Sequence, residues 1–415
     1  MSLFELVGVL FTVVAVLGYL NHRYIGLPDT IGITATGLVA SLLLAWLGRH
    51  VPGATAWASA LVGRLDLPEV VFHGLLSVLL FAGSLHVDIG DLARQRLPVL
   101  VLATVGVVLS TVFVGGATWW VLQALGTPVA LVWCLVFGAL ISPTDPIAVL
   151  GILKTAGVPR ALEVDIAGES LFNDGTGVVA FLTILGIATG TAEASVPAVA
   201  LLLAREVAGA IVVGLAIGYV AFFMLRAVDS YPVEILITLA LATGGYSLAE
   251  RLHVSAPLAV VVMGLVIGNH GARSAMSART RQHLFSFWEL LDEVLNLVLF
   301  GLLGINLLAL ADAELGSPLA ALALIPVVLA ARFASVGLPA IVVRRRLEHR
   351  TPHAVKVLTW GGLRGGISVA LALSLPQFEG RDTLVMAAYA VVLFSLLVQA
   401  PTLGWLLRRL RIARS

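Results

Sequence analysis

Apolar residues run along this chain in long blocks separated by short polar turns, not in the stripes of a surface helix. A helix rises 1.5 Å per residue, so crossing about 30 Å of hydrocarbon takes roughly 20 such residues. Blocks of that scale fall near 3–20, 30–48, 68–86, 97–123, 128–153, 161–188, 197–225, 233–250, 256–270, 288–310, 317–343, 354–375 and 383–407. The pattern predicts an all-α integral membrane protein with about thirteen transmembrane helices, the ninth of them short. Two blocks are interrupted at mid-depth. The fifth carries Ser142, Pro143, Asp145 and Pro146, and the twelfth carries Gly361, Gly362, Gly365 and Gly366. Each proline removes a backbone donor and clashes with the turn before it, so the fifth helix should open around Thr144. Seven spans separate the breaks, an offset that inverts direction. An inverted repeat places two interrupted helices across from each other in this way, with freed backbone groups facing the membrane midplane.

Composition agrees with this reading. The 415 residues are 59% hydrophobic and only 12% charged, against about 25% charged in an average soluble domain. The single cysteine, Cys134, excludes an intrachain disulfide and makes a cysteine metal cluster untenable. The first block lacks a basic region before it and a small-residue cleavage site after it, so it is expected to remain as the first span. No soluble domain is expected on either side of the spans.

Net charge says little, because the distribution of Lys and Arg between loops orients a membrane protein. Of the 25 basic residues, eighteen fall on the side of the C-terminal RRLRIARS and five on the other. The C-terminus is therefore expected in the cytoplasm and the N-terminus opposite. The basic loop from Gly271 to His283 and the RRRLEHR run are read as cytoplasmic anchors and not as nucleic-acid contacts. Only Arg332 and Arg364 remain, both near the middle of a span.

Their counterparts are three carboxylates in apolar sequence, Asp145, Glu169 and Asp174. Each would cost roughly 2.5–3.5 kcal/mol at a bilayer midplane on insertion scales. Asp145 precedes Pro146 at the start of the second half-helix, where it either caps the break or contacts a cation directly. Ser170 and Asp174 share one helix face by their four-residue spacing, and Glu169 and Asn173 share the next. Asp174 and Ser170, facing the opened backbone at Thr144, suit an oxygen cage for one hard monovalent cation such as Na+. An empty cage leaves the carboxylate out of water, which favours its neutral form, so a proton can take the cation's place. Glu169 reads as a structural counterion to a midplane arginine, Arg332 first and Arg364 second. With a neutral amide at Asn173 in place of a second acid, one-for-one electroneutral exchange is the simpler expectation. Glu289, Asp292 and Glu293, with Glu163 and Asp165, are read first as solvated helix ends and second as an acidic funnel that concentrates cations.

The phrases TDP at Thr144–Pro146, GESLFNDGTG at Gly168–Gly177 and GGLRGGIS at Gly361–Ser368 resemble the NhaP and NHE type of sodium/proton antiporters. The resemblance covers essentially all spans. It implies a homodimer of thirteen-helix protomers in a cell inner membrane, with dimerisation and scaffold helices in 1–94 and 226–312. A mobile core in 95–190 and 315–410 would expose the site alternately. It also implies that Asp174 is the transport carboxylate, aided by Ser170 and Thr144 beside Asn173, and that Glu169 pairs with Arg332. Where some relatives carry an acid in a phrase like LFEGGL, this chain reads LFAGSL with Ala82, which suggests that Ser84 or water substitutes.

The leading expectation is thus a sodium or lithium for proton antiporter serving pH homeostasis, with no cofactor and no partner beyond lipid, cations and protons. A potassium/proton exchanger is the alternative of the same class. A channel or a non-transporting sensor is the alternative of another class, and a channel would require a continuous polar path that the isolated polar residues do not supply. No nucleophile with a paired base points to an enzyme.

Overall fold

The computed structural model describes residues 3–50, 67–192, 195–311, 317–347 and 353–412, and every element among them is helical. Residues 348–350 of the RRRLEHR run and 413–415 of the C-terminal basic tail lie outside this set.

Helix α1 (Leu3–Leu20) passes through one wide turn, Asn21–Ile25, into α2 (Asp29–His50). Helix α3 (Val70–Leu85) leads through the short α4 (Ile89–Arg94) to α5 (Arg96–Ala124). Then come α6 (Leu131–Leu140), α7 (Ile147–Ala156), α8 (Arg160–Ala188), α9 (Val196–Ala227) and α10 (Tyr231–Arg251). Helices α11 (Ala256–Ser274), α12 (Ala278–Ala311) and α13 (Pro318–Leu347) follow. The halves α14 (Ala354–Trp360) and α15 (Gly366–Leu373) precede α16 (Arg381–Arg409).

Eight of the described helices are long and apolar enough to cross a membrane by themselves. The pairs α6 with α7 and α14 with α15 are not among them, because each half has ten residues or fewer and spans only about 15 Å. They occupy the two blocks that read as interrupted from sequence. Two boundaries differ from the hydrophobic pattern. Helix α11 is not short, since the wide turn Ile267–Gly271 carries it on to Ser274. Helix α12 begins at Ala278, ten residues before its apolar block, because a helix can project past the hydrocarbon with Arg279, Arg281 and Gln282 exposed to water. Exposed Trp120, Phe223, Leu236, Leu322 and Ile341 coat the outer faces, as suits a multi-pass membrane protein whose solvent there is lipid.

The helices pack as two groups. In the first, α2 lies along α12, while α3, α9 and α10 surround α11. A Cβ on Gly304 would sit 2.9 Å from the Cα of Gly37, so the backbones of α2 and α12 meet without intervening side chains, the usual means of close packing in lipid. Phe81 of α3 contacts Trp288 of α12 with ring centroids 4.7 Å apart, and the Trp288 Nε1–H donates to Thr238 Oγ1 of α10 at 3.0 Å. In the second group, α5, α6, α8, α13, α15 and α16 share an apolar core that includes Phe137, Phe181, Leu371 and Tyr389. Leu299 and Leu303 of α12 join that core and so link the two groups.

Candidate cation site

The two broken helices cross at their breaks. Residues 141–146 leave the helical path between α6 and α7, and the Asp145 N–H donates to the Leu363 carbonyl at 2.8 Å. Asp145 also caps α7, its Oδ1 accepting the Ile147 N–H at 2.9 Å. Its other oxygen lies against Gly365, where any Cβ would collide with it, so the crossing requires glycine at that position. Arg364, 2% exposed, donates through Nη1 to the carbonyls of Ser142 and Pro143, the latter at 2.9 Å. Sequence reasoning treats the carbonyls freed by the prolines as cation ligands. Two of them are instead engaged by this guanidinium, which sits on the opened turn and leaves Glu169 to another arginine.

That partner is Arg332 of α13. Its Nη1 donates to Glu169 Oε1 at 2.6 Å, with both side chains buried, and its Nη2 donates to the Leu358 carbonyl at 3.2 Å. One turn along α8, Asn173 grips the break at Thr144 twice. Its Oδ1 accepts the Thr144 N–H at 3.2 Å, and its Nδ2 donates to Thr144 Oγ1 at 2.8 Å. The same Oγ1 shares a hydrogen bond with Ser170 Oγ at 3.0 Å. Ser170 and Asn173 are therefore gathered on Thr144, which they orient.

Asp174, 7% exposed, lies at the floor of a cavity of about 550 Å³ between the two helix groups. Thr144 and Asp145 border the same floor with Gly365 and Ser368, and Asp145 is within electrostatic reach of Asp174. The same cavity has an exposed part, where α12 contributes Glu289, Asp292 and Glu293, and His86, directly after α3, lines it as well. Three of the five carboxylates, Glu289, Asp292 and Glu293, thus line the cavity, as the second reading of them from sequence has it. Glu163 does not, being held by Arg160 at 3.0 Å, and Asp165 is buried in α8 away from the wall. Ser84 does not take the place of the acid missing at Ala82. Its hydroxyl donates to the Phe81 carbonyl at 2.8 Å and abuts Gly264, outside the cavity.

One lining residue, Lys154, counts in the sequence only as a loop charge. Its signal is the spacing Ile147, Leu150, Gly151, Lys154, which puts all four on the face of α7 that lines the cavity.

Comparison with known proteins agrees with this architecture. The transmembrane sodium/hydrogen exchanger family matches residues 11–409. The chain is 48% identical over 411 residues to the Na(+)/H(+) antiporter NhaP of Pseudomonas aeruginosa, covering 98% of this chain and 96% of that one. It is 34% identical to the Na(+)/H(+) antiporter NhaH of Halobacillus dabanensis, with 92% of each chain covered. The solved structure of the sodium proton antiporter MjNhaP1 from Methanocaldococcus jannaschii at pH 8 superposes with a TM-score of 0.76 at 21% identity, covering 99% of both chains. Extending over nearly the whole chain and joined to a buried acid at two crossed helix breaks, these matches establish that the protein belongs to the sodium/hydrogen exchanger family of membrane transporters.

Proposed function

We propose that the protein exchanges Na+ or Li+ for H+, one for one, through competition of cation and proton for Asp174. The observation that carries this reading is the position of Asp174: a buried carboxyl lining a cavity that has an exposed part, next to the breaks where both interrupted helices leave the helical path. Thr144, oriented by Ser170 and Asn173, supplies hydroxyl and carbonyl oxygen beside it, and Asp145 adds negative potential while capping α7. One carboxylate matches one monovalent charge, and Asn173 contributes no second proton. Glu169 and Arg332 hold α8 to α13, and Arg364 holds the break open.

In this reading the thirteen blocks are thirteen passes. Helices within 95–190 and 315–410 form a core that moves against a scaffold within 1–94 and 226–312, and the scaffold pairs with a second copy in a bacterial inner membrane. The distribution of Lys and Arg puts the exposed end of the cavity in the cytoplasm. Relatives named as sodium/proton antiporters support sodium as the cargo.

The test is proton movement in everted vesicles, driven by Na+, Li+ or K+, with and without a clamped membrane potential. Sodium and lithium are expected to move protons at a rate independent of the potential, and Asp174→Asn to abolish the movement while the protein stays folded. Normal flux in Asp174→Asn would overturn the site, and a rate that follows the potential would overturn the one-for-one balance.

A further inference from the structure

The cavity has a cation of its own. Ile147, Leu150, Gly151 and Lys154 line it from α7, at the spacing of a single helix face. Glu289, Asp292 and Glu293 line it from α12, again on one face. The two faces belong to different packing groups, since α7 packs on α8 and α16 while α12 packs on α2 and α3. Lys154, Glu289 and Glu293 are exposed, whereas Asp174 at the other end is buried. The lysine therefore stands at the exposed part of the cavity, whose other wall carries the α12 carboxylates. His86, directly after α3, also lines the cavity and lies within electrostatic reach of both Glu289 and Lys154.

We propose that Lys154 is a tethered cation that competes with the transported ion for the Glu289–Glu293 face, and so sets the apparent affinity of the exchanger from that side. The chemistry suits the role. An ammonium is a compact monovalent charge on a flexible four-carbon stem, able to reach across a wet mouth while its methylenes stay against apolar wall. Acidic clefts with low-dielectric walls concentrate cations, and a fixed positive charge among the acids subtracts from that concentration. Solution cations must then displace the lysine to reach Asp174, which keeps the site from filling at low sodium. Lys154 also sits in the last turn of α7, where any cation complements the helix dipole. That local role concerns helix stability and leaves the sodium dependence of exchange unmoved.

The inference rests on the exchange reading above, and the experiment separates the two. Initial rates of sodium-driven proton movement are measured in everted vesicles at low and high ionic strength, for the wild type, Lys154→Gln, Lys154→Arg, and Lys154→Gln combined with Glu289→Gln and Glu293→Gln. One unit charge removed at several ångströms in a partly wet mouth corresponds to roughly a fivefold change in local cation concentration. Lys154→Gln is accordingly expected to lower the sodium KM about fivefold, with the change read in KM and not in the maximal rate. High salt, with a Debye length near 3 Å at about 1 M, should erase the difference. Lys154→Arg should restore the wild-type KM, and the added Glu289→Gln and Glu293→Gln should remove the gain. An unchanged KM in an active Lys154→Gln exchanger, or a shift equally large in Lys154→Arg, would overturn the role of Lys154. A wild type that moves no protons in sodium would overturn the exchange reading itself.

Discussion

Glu169 and Asp174 lie five positions apart on α8, and their surroundings separate their tasks. Glu169 receives the Arg332 guanidinium at 2.6 Å and is closed off from solvent, while Asp174 lines the cavity. Removing one partner of a buried ion pair leaves an uncompensated charge and costs about 3–5 kcal/mol. Glu169→Gln is therefore expected to lower the melting temperature of the detergent-solubilised protein and its yield in the membrane, while surviving protein still exchanges. A variant with full thermal stability and no exchange would move Glu169 from scaffold to transport. Asn173 illustrates how a side chain contributes by holding another: both ends of its amide are spent on Thr144, so its neutrality and its geometry serve the same break.

At the scale of elements, the crossing of the α6–α7 and α14–α15 breaks depends on a contact with no room for a side chain. Gly365→Ala would drive a methyl group into the Asp145 carboxylate, and either the crossing must separate or Asp145 must lose its cap on α7. Exchange is expected to fall at least tenfold, with a broadened unfolding transition by intrinsic fluorescence, whereas full activity would show that the crossing tolerates movement. The connector α4 shows a different kind of element control. Asp88 caps it by accepting the Asp91 N–H at 3.0 Å and also takes Arg273 at 3.0 Å. The Asp91 N–H first, and Arg273 after it, hold the Asp88 carboxyl below the ordinary carboxylate range. A lowered value in the folded state means that the cap is fully present above the ordinary carboxylate range and is lost only as pH falls through the lowered value. Protection of the 89–94 amides against hydrogen exchange should thus be level from neutral to mildly acid pH and collapse in strong acid, with Asp88→Ala removing it at every pH and Asp88→Asn retaining the cap.

For the whole molecule, the cavity separates helices of two packing groups, and exchange by alternating access requires those walls to move. The only cysteine, Cys134, is buried, so paired thiols can be placed on a quiet background. Gly151→Cys on α7 with Glu293→Cys on α12 should be bridged by a short bifunctional thiol reagent, and bridging should stop sodium-driven proton movement reversibly when the linker is cleavable. Undiminished exchange with the walls bridged would exclude relative movement of the groups. Phe137, Phe181 and Leu299 belong to one apolar core beside the cavity, with Leu299 at its wall.

Much of this protein was legible before any coordinates. The blocks of apolar residues determine a helical membrane protein because lipid leaves backbone polar groups no partner outside a helix. Prolines at 143 and 146 and the glycines at 361–366 determine that two blocks break, since a lost donor or a missing Cβ acts locally. The expense of burying charge singles out Asp145, Glu169, Asp174, Arg332 and Arg364. Which of these meet is decided only by the fold. Arg332 reaches Glu169 across 163 positions, Arg364 goes to the Ser142 and Pro143 carbonyls instead, and the Ser84 hydroxyl goes to the Phe81 carbonyl and not to the cavity. Periodicity states which residues share a face of one helix. Only tertiary packing states which face of another helix it meets, and that is why Lys154, a mere loop charge in sequence, and the Glu289–Glu293 face line one cavity with Asp174.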